Sequence, residues 1–137
     1  MKLLQNYRVL WITNSLDSWD IKLKKELNKN GAKIKICSGR EIQILPKEII
    51  KVQNPDVIII DFYIRADDYL NTTDVYWVLN RCKKIARYKN IPLLVISSYL
   101  EIKEMKNIKK YGATLLLNIE ELSEHEAFNQ IVELVLR

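Results

Sequence analysis

Four consecutive β-branched residues, Val57 to Ile60, run directly into an aspartate, Asp61, and this stretch constrains the fold most. Such a run is typical of a parallel strand that is buried on both faces, because helices cover both sides of its sheet. Burying a carboxylate in apolar surroundings costs free energy, so the strand is expected to end and to meet solvent at Asp61. Open α/β sheets form their binding sites at the carboxyl ends of strands, but many strands simply end on a polar residue there. The run alone leaves both interpretations of Asp61 open.

Strand-like and helix-like segments alternate along the chain. Apolar runs predict strands at 7–13, 32–38, 57–61, 91–98 and 113–118, and the polar alternation of the second one favours a sheet edge. Apolar residues at helical spacing, with caps at their ends, predict helices that begin between Ser15 and Ser18, at Pro46, at Thr72 or Thr73, at Glu101 and at Ser123. This order predicts a flavodoxin-like, doubly wound α/β fold, with a five-stranded parallel sheet in the order 2-1-3-4-5 and helices on both faces.

The composition indicates one globular domain, residues 1–137. The chain is 48% hydrophobic and 28% charged, with only three glycines and three prolines, so it can bury a core and has few linker residues. We expect neither a signal peptide nor a membrane helix, because no apolar stretch is long enough. Cys37 and Cys82 lie far apart without a metal-binding motif, which favours reduced, packed thiols in a cytoplasmic protein.

Charge is distributed unevenly along the chain. The net charge is +5, yet residues 118–137 contain five acids and one base. The lysines elsewhere are mixed with glutamates on several predicted helices, which favours a solvated surface over a nucleic-acid site. A small nucleotide- or nucleic-acid-binding domain is an alternative, but the three glycines form neither a GxGxxG motif nor a P-loop. His125, the only histidine, lies on the last helix, so a hydrolase built on Ser97 or Ser98 lacks a base and no enzyme is expected.

Three motifs together carry a resemblance to a known family. The stretch PDVIIID ends in Asp61, the stretch IPLLVISS has a hydroxyl at Ser97, and Gly112 and Ala113 precede the last strand. In this order and spacing, residues 7–136 resemble the receiver domains of two-component response regulators. The resemblance implies that Asp61 stands at the position of the aspartate that accepts phosphate, and that Ser97 stands at the family's hydroxyl position.

The chain departs from the receiver pattern at the positions that handle phosphate. Thr13 and Asn14 replace the acidic pair that holds Mg²⁺ in the family, and Ile119 replaces the lysine after the last strand. Mg²⁺ prefers carboxylates and waters, and phosphoryl transfer needs positive charge around the transferring oxygens. Asp17 and Asp20 lie close in sequence, but they are expected to belong to the start of the first helix and to point away.

The sequence therefore predicts a pseudo-receiver, which is a signalling and protein-interaction module that acts without phosphorylation and without a cofactor. The alternative is a divergent response regulator receiver that is phosphorylated on Asp61 and requires Mg²⁺. In the first case Asp61 is vestigial or a hydrogen-bonding partner. As an unpaired acid at a strand end it would be a desolvation liability, so Asp61→Ala is expected to have a modest or even favourable effect on stability.

A signalling protein is the expected partner, and the resemblance also implies a weak two-fold homodimer. Its face comprises the fourth predicted helix, the last strand and the last helix, with charged residues Lys103, Lys106, Lys109, Lys110, Glu120, Glu121, Glu124 and Glu126. A surface that carries both signs can be complementary to itself across a two-fold axis. Exposed ion pairs contribute only about 0–1 kcal/mol each, so dimerisation is expected to be weak and sensitive to salt.

Overall fold

A parallel five-stranded sheet organises the computed structural model, which describes residues 2–13, 16–61, 73–85, 90–97 and 102–136. The strand order is β2-β1-β3-β4-β5, as predicted, and β2 lies at an edge. The strands are β1 Arg8–Ile12, β2 Lys33–Cys37, β3 Val57–Asp61, β4 Leu93–Ser97 and β5 Leu115–Asn118. The stretch 65–72 is polar and its sequence predicts a loop, but it lies outside the described residues.

Six helices lie within the described ranges, one more than the sequence predicts. Five of them lie between consecutive strands, and the sixth follows the last strand. They are α1 Ser18–Lys29, α2 Gly39–Ile44, α3 Pro46–Gln53, α4 Thr73–Lys84, α5 Ile102–Lys110 and α6 Glu124–Val135. The additional helix is α2, which begins with a capping box between Ser38 and Glu41. The Ser-x-x-Glu pattern at 38–41 is a recognised start signal, so this helix could have been predicted.

Capping residues set the start of the two helices that pack on each other, α1 and α6. Asp17 caps α1 and Ser123 caps α6, both with a reciprocal bond from the third helical residue. Each position was among the predicted caps. None of the helices that the structure describes is both long and apolar enough to cross a bilayer.

The two faces of the sheet bury separate apolar clusters. On one face, alternate strand residues such as Leu10, Ile58 and Val95 pack against helices α2 to α5. On the other face, residues such as Trp11, Ile59 and Leu94 pack against α1 and α6. This division follows from the two-residue period of a strand, and it fixes which side chains meet at each end of the sheet.

The two thiols lie in the first of these clusters. Cys37 and Cys82 are free and buried, as predicted. Burial raises the pKa of each thiol to about 12, so both are neutral packing groups rather than nucleophiles.

Candidate functional site

The strand register brings Asp61 beside Thr13 at the carboxyl edge of the sheet. Ile12 of β1 pairs with Ile60 of β3, so the next residues on the two strands, Thr13 and Asp61, are neighbours. Trp11 precedes Thr13 by two residues and therefore lies on the same face. That face carries the cluster under α1 and α6.

Both carboxylate oxygens of Asp61 accept a hydrogen bond from β1 or its end. The indole Nε1 of Trp11 donates to Oδ1 over 3.3 Å, and the hydroxyl of Thr13 donates to Oδ2. Trp11 is fully buried, so Asp61 supplies the acceptor that a buried indole N–H needs. The prediction that Asp61 is an unpaired acid is therefore wrong.

A second carboxyl group lies close to Asp61, on the first turn of α1. Asp20 is only 3% exposed, and its Oδ2 accepts the backbone N–H of Asp17 over 3.3 Å. The charge of Asp61 acts on its pKa, so the two carboxyl groups are electrostatic neighbours. The prediction that Asp20 points away from the site is wrong, although its place in the cap of α1 is confirmed.

Burial and nearby negative charge raise the pKa of both carboxyl groups towards neutral pH. Burial raises the pKa of Asp20 to about 7, and the negative charges of Asp61 and Asp17 add to the rise. Burial also raises the pKa of Asp61 to about 6, against the opposing effect of the hydrogen bonds from Thr13 and Trp11. The pair is thus poorly suited to carry further negative charge.

Among the described residues around Asp61, a neutral hydroxyl stands where the resemblance implies a magnesium-binding acid. Thr13 occupies the position of one acid of the pair, and its hydroxyl donates a hydrogen bond to Asp61. Both Asp61 oxygens therefore already accept a hydrogen bond. No three His, Cys, Asp or Glu side chains among the described residues are grouped so that they could hold a metal ion. Asn14, at the second position of the acidic pair, lies outside the described residues.

Ser97 and Asp61 lie on neighbouring strands but on opposite faces of the sheet. Asp61 pairs with Ile96, and Ser97 follows it on the face of Val95. Ser97 is 3% exposed, and its hydroxyl has no hydrogen-bond partner in the described part of the chain. The predicted phosphoacceptor and hydroxyl positions are therefore not joined by a hydrogen bond.

Ile119 lies beside Ser97, where the resemblance places a lysine. Its backbone N–H donates to the Ser97 carbonyl over 2.8 Å. Its side chain is partly buried and packs against the cluster under α1 and α6. An apolar side chain thus occupies the position from which an ammonium group would neutralise a phosphoryl group.

Receiver domains of known structure share this backbone. CheY4 of Vibrio cholerae aligns with a TM-score of 0.73 at 17% identity, covering 96% of this chain and 99% of that chain. The signal receiver domain of the DNA-binding response regulator merR from Colwellia psychrerythraea 34H aligns with a TM-score of 0.73 at 19% identity. The alignment covers 96% of this chain and 100% of that chain. The chain has the receiver-domain fold. No protein-family model matches the sequence, and no curated protein does.

Sequence reasoning missed two members of the Asp61 site within this receiver fold. Trp11 was not among the predicted site residues, and Asp20 was expected to point away. The signal for Trp11 was the two-residue alternation from Trp11 to Thr13, which sets both on one face of β1. Asp20 is harder to find, since its approach to Asp61 depends on how α1 lies over the sheet.

The structure divides the charged face that was predicted for dimerisation. The lysines of α5 and the acids Glu120 and Glu121 are exposed. Glu124 instead lies 3.7 Å from Lys22 of α1, and Glu126 completes the cap of α6. Of the acids predicted for this face, Glu120 and Glu121 are therefore better placed than Glu124 and Glu126 to meet a partner.

Replacing Asp61 by alanine should destabilise the protein by about 1–3 kcal/mol, because the buried Trp11 indole loses its acceptor. Asp61→Asn keeps a carbonyl oxygen for the indole and should cost less. Urea unfolding at pH 5, below the raised pKa of Asp61, avoids an offsetting gain from removing a buried charge. A free energy of unfolding that is the same for Asp61→Ala and the wild type would contradict this role.

Asp20 should make the protein less stable as the pH rises. Its pKa in the folded state, about 7, exceeds the ordinary value of 3.8, so the folded state binds the proton more tightly. The stabilisation is complete below the ordinary pKa and is lost as the pH rises through the folded one. In Asp20→Asn this loss should be absent, so denaturation between pH 4 and pH 8 should show a flatter profile than the wild type. Parallel profiles would show that Asp20 titrates normally.

Proposed function

We propose that the protein is a pseudo-receiver, a signalling module that binds a partner protein without phosphorylation, without a cofactor and without catalysing a reaction. The observation that carries the proposal is the hydrogen bonding of Asp61, whose two oxygens are both engaged by Trp11 and Thr13. An aspartate that accepts phosphate must offer an oxygen to the donor. Here the carboxylate serves as an internal acceptor at the end of the sheet.

The electrostatics of the site support the same proposal. Besides burial, the negative charge of Asp17 raises the pKa of Asp61, and those of Asp61 and Asp17 raise the pKa of Asp20. A phosphoryl group on Asp61 would add negative charge beside them, while Ile119 offers no compensating cation. Repulsion and desolvation would therefore both oppose phosphorylation.

The alternative function, a divergent receiver phosphorylated on Asp61, has one observation in its favour. Asp20 brings a second carboxyl group close to Asp61, as the acidic pair does in the family. Against it stand the neutral Thr13 and the apolar Ile119. The phosphorylated receiver is therefore the second candidate function, after the pseudo-receiver.

Partner binding is proposed for the face formed by α5, β5 and α6. Its exposed lysines and acids make it suitable for a signalling protein or, across a two-fold axis, for a second copy of the chain. The two buried free thiols suit a cytoplasmic protein. Apolar contacts would supply most of the affinity, while the charges set orientation.

Acetyl phosphate with Mg²⁺ should leave the mass of the protein unchanged, because the Asp61 oxygens accept hydrogen bonds and Ile119 stands where the family has a lysine. Intact-mass spectrometry measures this directly. An added phosphoryl group that is absent in Asp61→Asn would establish the alternative function. The fluorescence of Trp11, which contacts Asp61, provides a second readout with a fluoroberyllate mimic.

A weak homodimer should form at low salt and dissociate at high salt. Glu121→Lys reverses an exposed acid on the proposed face and should weaken it, whereas Glu124→Lys removes an acid that pairs with Lys22 within the chain and should affect it less. Sedimentation at about 100 µM, well above a micromolar Kd, measures the salt dependence and the effect of each variant on dimerisation. A strict monomer under these conditions would remove the dimer from the proposal.

A further inference from the structure

A groove of about 380 Å³ opens at the amino end of the sheet, which is the end opposite Asp61. Three basic residues, Arg8, Lys33 and Lys35, line it together with Val52 and Gln53 of α3 and the nearby Pro55. Val9 and Ile34 complete the lining, and we call these eight residues the amino-end groove. It shares no residue with the Asp61 site or with the proposed dimer face.

The strand register places the three cations on one face. Arg8 pairs with Lys33, and Leu10 pairs with Lys35. Leu10 packs in the cluster that includes Ile50 of α3, so the alternation sets Arg8, Lys33 and Lys35 on the side of the sheet that faces α3. All three side chains are exposed, and they border the carboxyl-terminal turn of this helix.

The positive charge of the groove is not neutralised by its walls. No acidic residue lines it, and none of the ion pairs between described residues involves its three cations. Asp56 lies next to Pro55, and its carboxylate accepts the backbone N–H of Arg8 over 2.8 Å. One neighbouring acid against three cations leaves the groove net positive.

The groove also offers apolar surface. Val52 is 74% exposed on the last turn of α3, so its apolar side chain is open to a ligand. Beside it, Pro55 is buried and Ile34 is partly buried. A ligand that matches this surface carries both carboxylates and apolar groups.

A compact phosphate is a poorer match than an extended acidic segment. The carboxyl-terminal end of α3 borders the groove, and its negative dipole opposes any anion, so the three cations must supply the attraction and their spacing decides between the ligands. Lys33 and Lys35 lie two residues apart on a strand, a separation of about 6.6 Å. Acidic residues at alternate positions of an extended peptide have the same spacing.

We propose that the amino-end groove binds an acidic, partly apolar segment of a partner protein. The cations of β1 and β2 pair with alternate acids of the segment, and Val52 contacts an apolar residue between them. The inference rests on the proposed function only in assuming that the module binds proteins. It adds a second surface, on the opposite side of the fold from the Asp61 edge.

The test uses fluorescence anisotropy with a labelled peptide of alternating glutamate and leucine, and with its glutamine counterpart as the uncharged control. The acidic peptide should bind the wild type and the glutamine peptide should not. The double variant Lys33→Glu, Lys35→Glu should weaken binding by roughly tenfold or more, since it reverses two of three cations. The matched control is Lys25→Glu, Lys29→Glu, which makes the same change in net charge on exposed residues of α1 and should bind like the wild type.

A further variant, Val52→Ser, should weaken binding without changing its salt dependence, because it removes apolar contact and no charge. Equal loss in both charge-reversal variants would show that net charge alone attracts the peptide, and would overturn the proposal. Tighter binding of a single-stranded oligonucleotide than of the peptide, or self-association that is lost in Lys33→Glu, Lys35→Glu, would also overturn it. Failure here leaves the proposed function intact, since that function is tested by phosphorylation at Asp61.

Discussion

The hydrogen bonds that Trp11 and Thr13 donate to Asp61 link the apolar core of the sheet to its carboxyl edge. Trp11 is fully buried, so its indole N–H must be satisfied inside the protein, and Asp61 is the group that satisfies it. The carboxylate in turn tolerates its partly buried place because two donors face it. This mutual requirement explains why an acid ends a strand that is otherwise apolar.

Under the proposed function, the same interaction makes the carboxyl end of the sheet an unfavourable place for a phosphoryl group. Asp20 lies close by with its own raised pKa, and Ile119 adds an apolar side chain beside Ser97. Each of these features disfavours additional negative charge at Asp61. Exposed charge on α5 and its neighbours and in the amino-end groove lies away from Asp61, and these are the two surfaces that we propose for partners.

Much of the fold follows from local patterns in the sequence. Local signals predict the strands and most helices, because each depends on residues close in the chain; examples are the β-branched run at Val57–Ile60, the alternation in β2 and the caps at Asp17 and Ser123. The alternation of these elements then predicts the sheet order. The helix α2 was missed although its capping box is also local. By contrast, the electrostatic effect of Asp61 on Asp20 depends on the packing of α1 over the sheet, which no short pattern encodes.

The ionisation of Asp61 itself tests the central claim most directly. The carbon-13 shift of its carboxyl group, followed against pH with and without millimolar Mg²⁺, reports both its environment and its availability to a cation. The account predicts a pKa raised to about 6 that Mg²⁺ leaves unchanged. A pKa near the ordinary value of 3.8, or one that falls when Mg²⁺ is added, would contradict it.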